Sequence, residues 1–83
     1  MPTYIDHHEK FEVTPELEQA FAERLRSGQP DENGVKGINM FLTKDGGAYC
    51  LLEAPDEDAV VRTHANGGTE IRRGDVVEVR LLV

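Results

Sequence analysis

Cysteine, serine and basic residues are scarce in this sequence, and each scarcity removes a class of function. The one cysteine, Cys50, cannot close a disulfide within the chain. A lone thiol suits a reducing compartment, so a cytoplasmic location is expected. The one serine, Ser27, has no nucleophile elbow around it. Lysine and arginine total 9 against 16 acids, a formal charge of −7. Arg24/Arg26 and Arg72/Arg73 are short, separate pairs, so the basic patch needed to displace counterions from nucleic acid is missing. An anionic membrane surface is disfavoured for the same reason. No apolar run approaches the ~18 residues of a spanning helix, and residues 1–6 show no signal-peptide pattern. Neither Gly-Gly pair sits in a phosphate-loop motif, and His8-Glu9-Lys10-Phe11-Glu12 lacks the second histidine of the zinc-protease pattern.

What is present is enough for one domain spanning 1–83 and no more. A chain this short buries only ~60% of its unfolded surface, which makes dimerisation a plausible source of stability. Thr3 to His8 reads as a first strand. Thr14-Pro15-Glu16 is a helix start, with Thr as cap, Pro at the first helical position and acids following. Leu17, Phe21 and Leu25 form one apolar stripe, and Ser27-Gly28 ends that helix. Val35 to Thr43 and Ala48 to Ala54 read as strands joined by Asp45-Gly46-Gly47, a hairpin turn signal. Pro55 then blocks extension, and Asp56, Glu57 and Asp58 suit the positive end of a second helix. Ala59, Val60, Thr63 and His64 share one face of it, and Gly67-Gly68 closes it. Val76 to Val83 alternates as a last strand.

The order βαββαβ predicts an α+β, ferredoxin-like sandwich: a four-stranded antiparallel sheet with both helices on one face. Strand alternation divides the side chains between the two faces. Ile38, Met40, Leu42, Cys50, Leu52, Val77, Val79 and Leu81 are expected under the helices. Ile5 is placed with them, which sends Thr3 and His7 inward. Tyr4, Asp6, His8, Phe41, Tyr49, Leu51, Glu53, Glu78 and Arg80 are then expected on the open face. An aromatic patch rimmed by charge resembles a subunit interface, so a homodimer packed through that face is expected.

The residues suited to chemistry are metal ligands. His7, His8, Cys50 and His64 offer imidazole and thiolate donors for nickel, copper or zinc, and Asp6, Glu9 and Glu53 lie nearby. Two groupings are expected: His8, Asp6 and Glu53 at the dimer face, and Cys50 with His64, and His7 beside them, between the sheet and the second helix. Each residue also has an ordinary reading. Cys50 can be a small core hydrophobe, His64 a hydrogen-bonded helix residue, and Glu53 the partner of Arg80 across the sheet.

The segment from Tyr49-Cys50-Leu51-Leu52-Glu53-Ala54-Pro55 through the acidic helix start to His64-Ala65 resembles a small bacterial family of uncharacterised ferredoxin-like domains that includes nickel-binding proteins. Gly34-Val35, Val77-Glu78-Val79 and the histidine-bearing Asp6-His7-His8 are similar as well. One departure is Gly68 to Gly74, where the family usually carries proline. The resemblance implies a homodimer holding metal near its interface, nickel first and zinc or copper next, for sequestration or delivery, with His7, His8, Cys50 and His64 singled out. The contrasting expectation is a cofactor-free dimeric oxygenase or isomerase with His64 or His7 as base. It requires an apolar pocket of ~300 Å³ or more between sheet and helices.

Overall fold

In the computed structural model, which describes residues 1–82, each helix begins where a side chain satisfies its first free amides. In α1 (Pro15–Ser27) the Thr14 hydroxyl accepts from Leu17 N at 3.1 Å, and Gly28 closes the helix with φ 65°. Acids Glu16 and Glu18 occupy the first turn and Arg24 and Arg26 the last, which matches the helix dipole at both ends. In α2 (Glu57–Asn66) the Asp56 carboxylate accepts from Ala59 N at 2.8 Å. Its end is made by two glycines in different roles. Gly67 stays right-handed, Gly68 takes φ 85°, and Thr69 N donates back to the His64 carbonyl at 2.8 Å.

Four strands, β1 (Thr3–His8), β2 (Lys36–Leu42), β3 (Ala48–Glu53) and β4 (Val76–Val79), form one antiparallel sheet in the order β2-β3-β1-β4. With the helices between β1 and β2 and between β3 and β4, this is the expected ferredoxin-like α+β arrangement. The β2–β3 turn uses Gly46 at φ 90°, a conformation other residues rarely adopt. A short 3-10 turn, Arg73–Asp75, leads into β4, where the Asp75 carboxylate accepts from Arg72 N. Strand β4 stops at Val79 rather than running on, and the expected end at Val83 lies outside the described residues.

The inward and outward faces of β1 and β4 are the reverse of the expectation from hydropathy. Tyr4, Asp6 and His8 are buried, and Val76 points inward beside them; His7 is exposed, and Val77 keeps 55% of its surface accessible. Ile5 pairs with Leu51 and Val77, so it belongs to the open face. Strand β3 follows expectation, with Cys50 and Leu52 buried and Tyr49 exposed. In β2 an irregularity between Gly37 and Asn39 shifts the register, leaving Ile38 exposed while Met40 still pairs with Cys50. The core holds Tyr4, Val35, Cys50, Leu52, Ala54, Ala59, Val60, Ile71 and Val76. The open face carries Ile5, Phe41, Tyr49, Leu51, Val77 and Val79, so it is apolar, as expected, but built from a different set of β1 and β4 residues.

Candidate metal centre

The reversal in β1 brings two ionisable side chains into the core. Asp6 is fully buried and lies opposite Cys50 in the β1–β3 register, so both side chains rise from the same side of the sheet. His8 follows two residues later on that face, and α2 lowers His64 onto them from above. Asp6, His8, Cys50 and His64 each offer one donor atom, all within 4.8 Å of one another. Four donors set tetrahedrally about 2.0–2.3 Å from one ion stand about 3.3–3.8 Å apart. The four atoms are therefore close enough to share one cation after the cluster draws inward.

Its hydrogen-bond pattern favours a positive charge at the centre. His64 Nδ1 lies 2.8 Å from the Val60 carbonyl oxygen, which can only accept, so Nδ1 donates. The remaining nitrogen, Nε2, then carries a lone pair when the ring is neutral, and it faces Asp6 Oδ2 at 3.3 Å. Two acceptors facing each other need a proton or a metal ion between them. His8 Nε2 is 2.8 Å from Asp6 Oδ1. Close as they are, both carboxylate oxygens and His8 Nε2 are buried without a well-aligned hydrogen bond. Burial that strands polar atoms is costly, and an ion or a bound water at the centre would relieve it.

The pKa directions agree with this geometry. Burial favours the neutral acid at Asp6, but the imidazoles of His64 and His8 outweigh it and hold the carboxyl below its ordinary value. Burial favours neutral imidazole at His64, yet contact with Asp6 and the bond to the Val60 carbonyl raise its pKa. The Cys50 thiol is pushed up to about 12, by burial first and then by the neighbouring Asp6 carboxylate. Without a metal, the centre thus holds a carboxylate, a proton-attracting imidazole and a protonated thiol. A divalent ion bound by one carboxylate, one thiolate and two neutral imidazoles would leave zero net charge. That is the state least penalised by burial.

Of the residues expected as ligands, four come together and two do not. His7 lies on the open face, stacked on Tyr49 with ring centroids 4.5 Å apart. Glu53 is 3.9 Å from Lys36 Nζ, on the β2 side of β3, and not beside Arg80. The expected groupings are redrawn accordingly: Asp6 and His8 leave the open face and join Cys50 and His64. Two supporting features went unread in the sequence. One is the Val60 carbonyl that orients His64, which the spacing of four residues along a helix could have suggested. The other is Gly47, where a Cβ would stand 2.5 Å from the His8 carbonyl oxygen, so only glycine lets the hairpin press against the end of β1.

A partly open apolar cleft of about 200 Å³ adjoins the cluster, below the ~300 Å³ that the oxygenase or isomerase expectation requires. Among the described residues, no helix is long and apolar enough to cross a membrane. No curated protein and no solved structure matches the chain. A family match does exist, and it runs from Tyr4 to Val79, taking in all four clustered donors and every strand but the first residue of β1. With residues 4–79 matched, the chain belongs to the family described as nickel responsive protein SCO4226-like.

Proposed function

We propose that the protein binds one divalent transition-metal ion per chain, nickel first and zinc or copper next, through Asp6, His8, Cys50 and His64. The observation that carries the reading is the convergence of these four donors within 4.8 Å in the core. The family description, nickel responsive, favours nickel among the metals that accept imidazole and thiolate. The chain's own residues do three things. Val60 fixes the His64 tautomer, Asp6 supplies the fixed negative charge, and Cys50 contributes a soft donor once its proton leaves. With four protein donors the ion would have a complete tetrahedral set, which suits sequestration or delivery better than catalysis at an open coordination position.

We also propose a homodimer formed through the open sheet face. In support, Phe41 is 50% and Val77 55% exposed on that face, with Ile5, Tyr49 and Leu51 between them. Those side chains give each of the four strands an apolar residue on the outward face. Packing it against a second copy would shield it from water.

Calorimetric titration of chelator-treated protein with nickel tests the metal reading. One ion per chain is expected, with a higher melting temperature. Cys50→Ser and His64→Gln should lose most of the heat, while His7→Ala and Glu53→Gln should keep it. Binding that survives Cys50→Ser and His64→Gln but vanishes in His7→Ala would move the site to the open face and refute the reading.

A further inference from the structure

Helix α1 packs loosely on the sheet it covers. None of its 13 residues is buried, although Leu17, Phe21 and Leu25 form an apolar stripe. It comes close to the sheet at Leu25, whose Cδ2 lies 2.7 Å from where a Cβ on Gly37 would be. Beside this approach a cleft of about 200 Å³ lies between helix and sheet. Phe11, Phe21, Leu25, Met40 and Leu52 line it, and His8, Cys50 and His64 lie along it. Rings follow one another along this region: His64 and His8 have centroids 5.1 Å apart, His8 and Phe11 5.2 Å, and Phe11 and Phe21 5.8 Å. Spacings of this kind are those at which aromatic rings attract edge to face or offset.

We propose that this cleft is a binding site for a small neutral aromatic molecule of one ring. Size suits one ring: a dry apolar cavity of ~150 Å³ accepts benzene, and about 200 Å³ takes a single ring with a small substituent. Lining argues for an apolar, aromatic occupant, because Phe11 and Phe21 present ring surface and Met40 a polarisable thioether, which pairs well with ring edges. Position gives the site a second property. Its occupant would lie against His8, Cys50 and His64, so a bound ring and a bound metal would share side chains. The cleft itself rests on apolar packing, and the proposal stands whether or not the four donors hold a metal.

The experiment uses metal-free full-length protein with phenol as the probe and cyclohexanol as the non-aromatic control. Methyl resonances of Met40, Leu25 and Leu52 are followed by NMR. Phenol should shift all three saturably and raise the melting temperature, and cyclohexanol should bind more weakly. Met40→Phe, which fills the cleft, should abolish the phenol response, and Met40→Ala should retain it and extend it to indole. A circular dichroism spectrum like that of the parent protein establishes that each variant folds. Repeating the titration with nickel present reads the linkage separately. Unmoved methyl resonances up to the solubility limit of phenol would overturn the proposal. So would shifts unchanged in folded Met40→Phe, or equal binding of phenol and cyclohexanol.

Discussion

Loading the centre with a divalent metal should release protons, and the count follows from the structure. Cys50 must give up its proton to bind as thiolate, and its pKa is pushed up to about 12 by burial and by Asp6. At about pH 7 that deprotonation spans about five pH units, or about 7 kcal/mol at about 1.4 kcal/mol per unit. The apparent affinity is therefore about 10⁵-fold weaker than a pre-formed thiolate would give, and it should rise about tenfold per pH unit between about pH 7 and 9. His64 adds to this at lower pH. Asp6 and the Val60 carbonyl raise its pKa despite burial, so below that value a second proton must leave and the slope steepens. The sign is the same for both groups: metal and proton compete for one lone pair, and affinity rises with pH. Nickel titrations in buffers of different ionisation enthalpy give the proton count directly. About one proton per ion is expected above the His64 pKa, falling to none in Cys50→Ser. A proton count near zero, with affinity flat from about pH 7 to 9, would refute the assignment of Cys50 as a ligand.

Other consequences concern the scaffold. The Asp31 carboxylate accepts from Asn33 N and Val35 N, each at 2.9 Å, and from the Thr63 hydroxyl at 2.6 Å, tying the approach to β2 to helix α2. Asp31→Ala should cost about 2–4 kcal/mol in urea unfolding. Burial raises the Asp31 pKa, but these hydrogen bonds outweigh it and lower the value. Its stabilisation is thus present above the unfolded pKa and disappears as pH falls through the lower folded one, so the acid-unfolding limb should flatten in the variant. Gly47→Ala should destabilise by about 1–3 kcal/mol and weaken nickel binding, because the new Cβ would meet the backbone oxygens of His8 and Glu9. Phe41→Asp with Val77→Asp should yield monomers in sedimentation velocity while leaving the inner metal stoichiometry at one per chain. A parent protein that is already monomeric would remove the interface proposal.

Most of the architecture was legible because local signals agreed with one another. Thr14-Pro15 and Pro55-Asp56 marked the helix starts, Asp45-Gly46-Gly47 the hairpin, and β1 and β3 fell within a residue of their expected bounds. The faces of β1 were not legible, for a specific reason. Thr3 to His8 offers Tyr4 on one side and Ile5 on the other, and hydropathy argues against burying Asp6. His8 on the same strand is one partner that makes that burial tolerable, but the others are distant in the chain: His64 from α2 and Cys50 from β3. Nothing local to β1 reports them. The same reasoning misjudged β4, where the more apolar residues, Val77 and Val79, lie on the outward face. An apolar outer face reads as a core to alternation alone. All four clustered residues were recognisable as donors by type, but their grouping depended on the phase of one strand.

X-ray absorption at the nickel edge, on protein loaded with one ion per chain, tests the central assignment most directly. One sulfur neighbour together with imidazole scattering is expected, with the sulfur lost in Cys50→Ser and imidazole scattering reduced in His64→Gln. A shell of nitrogen and oxygen alone, identical in the parent and both variants, would contradict it.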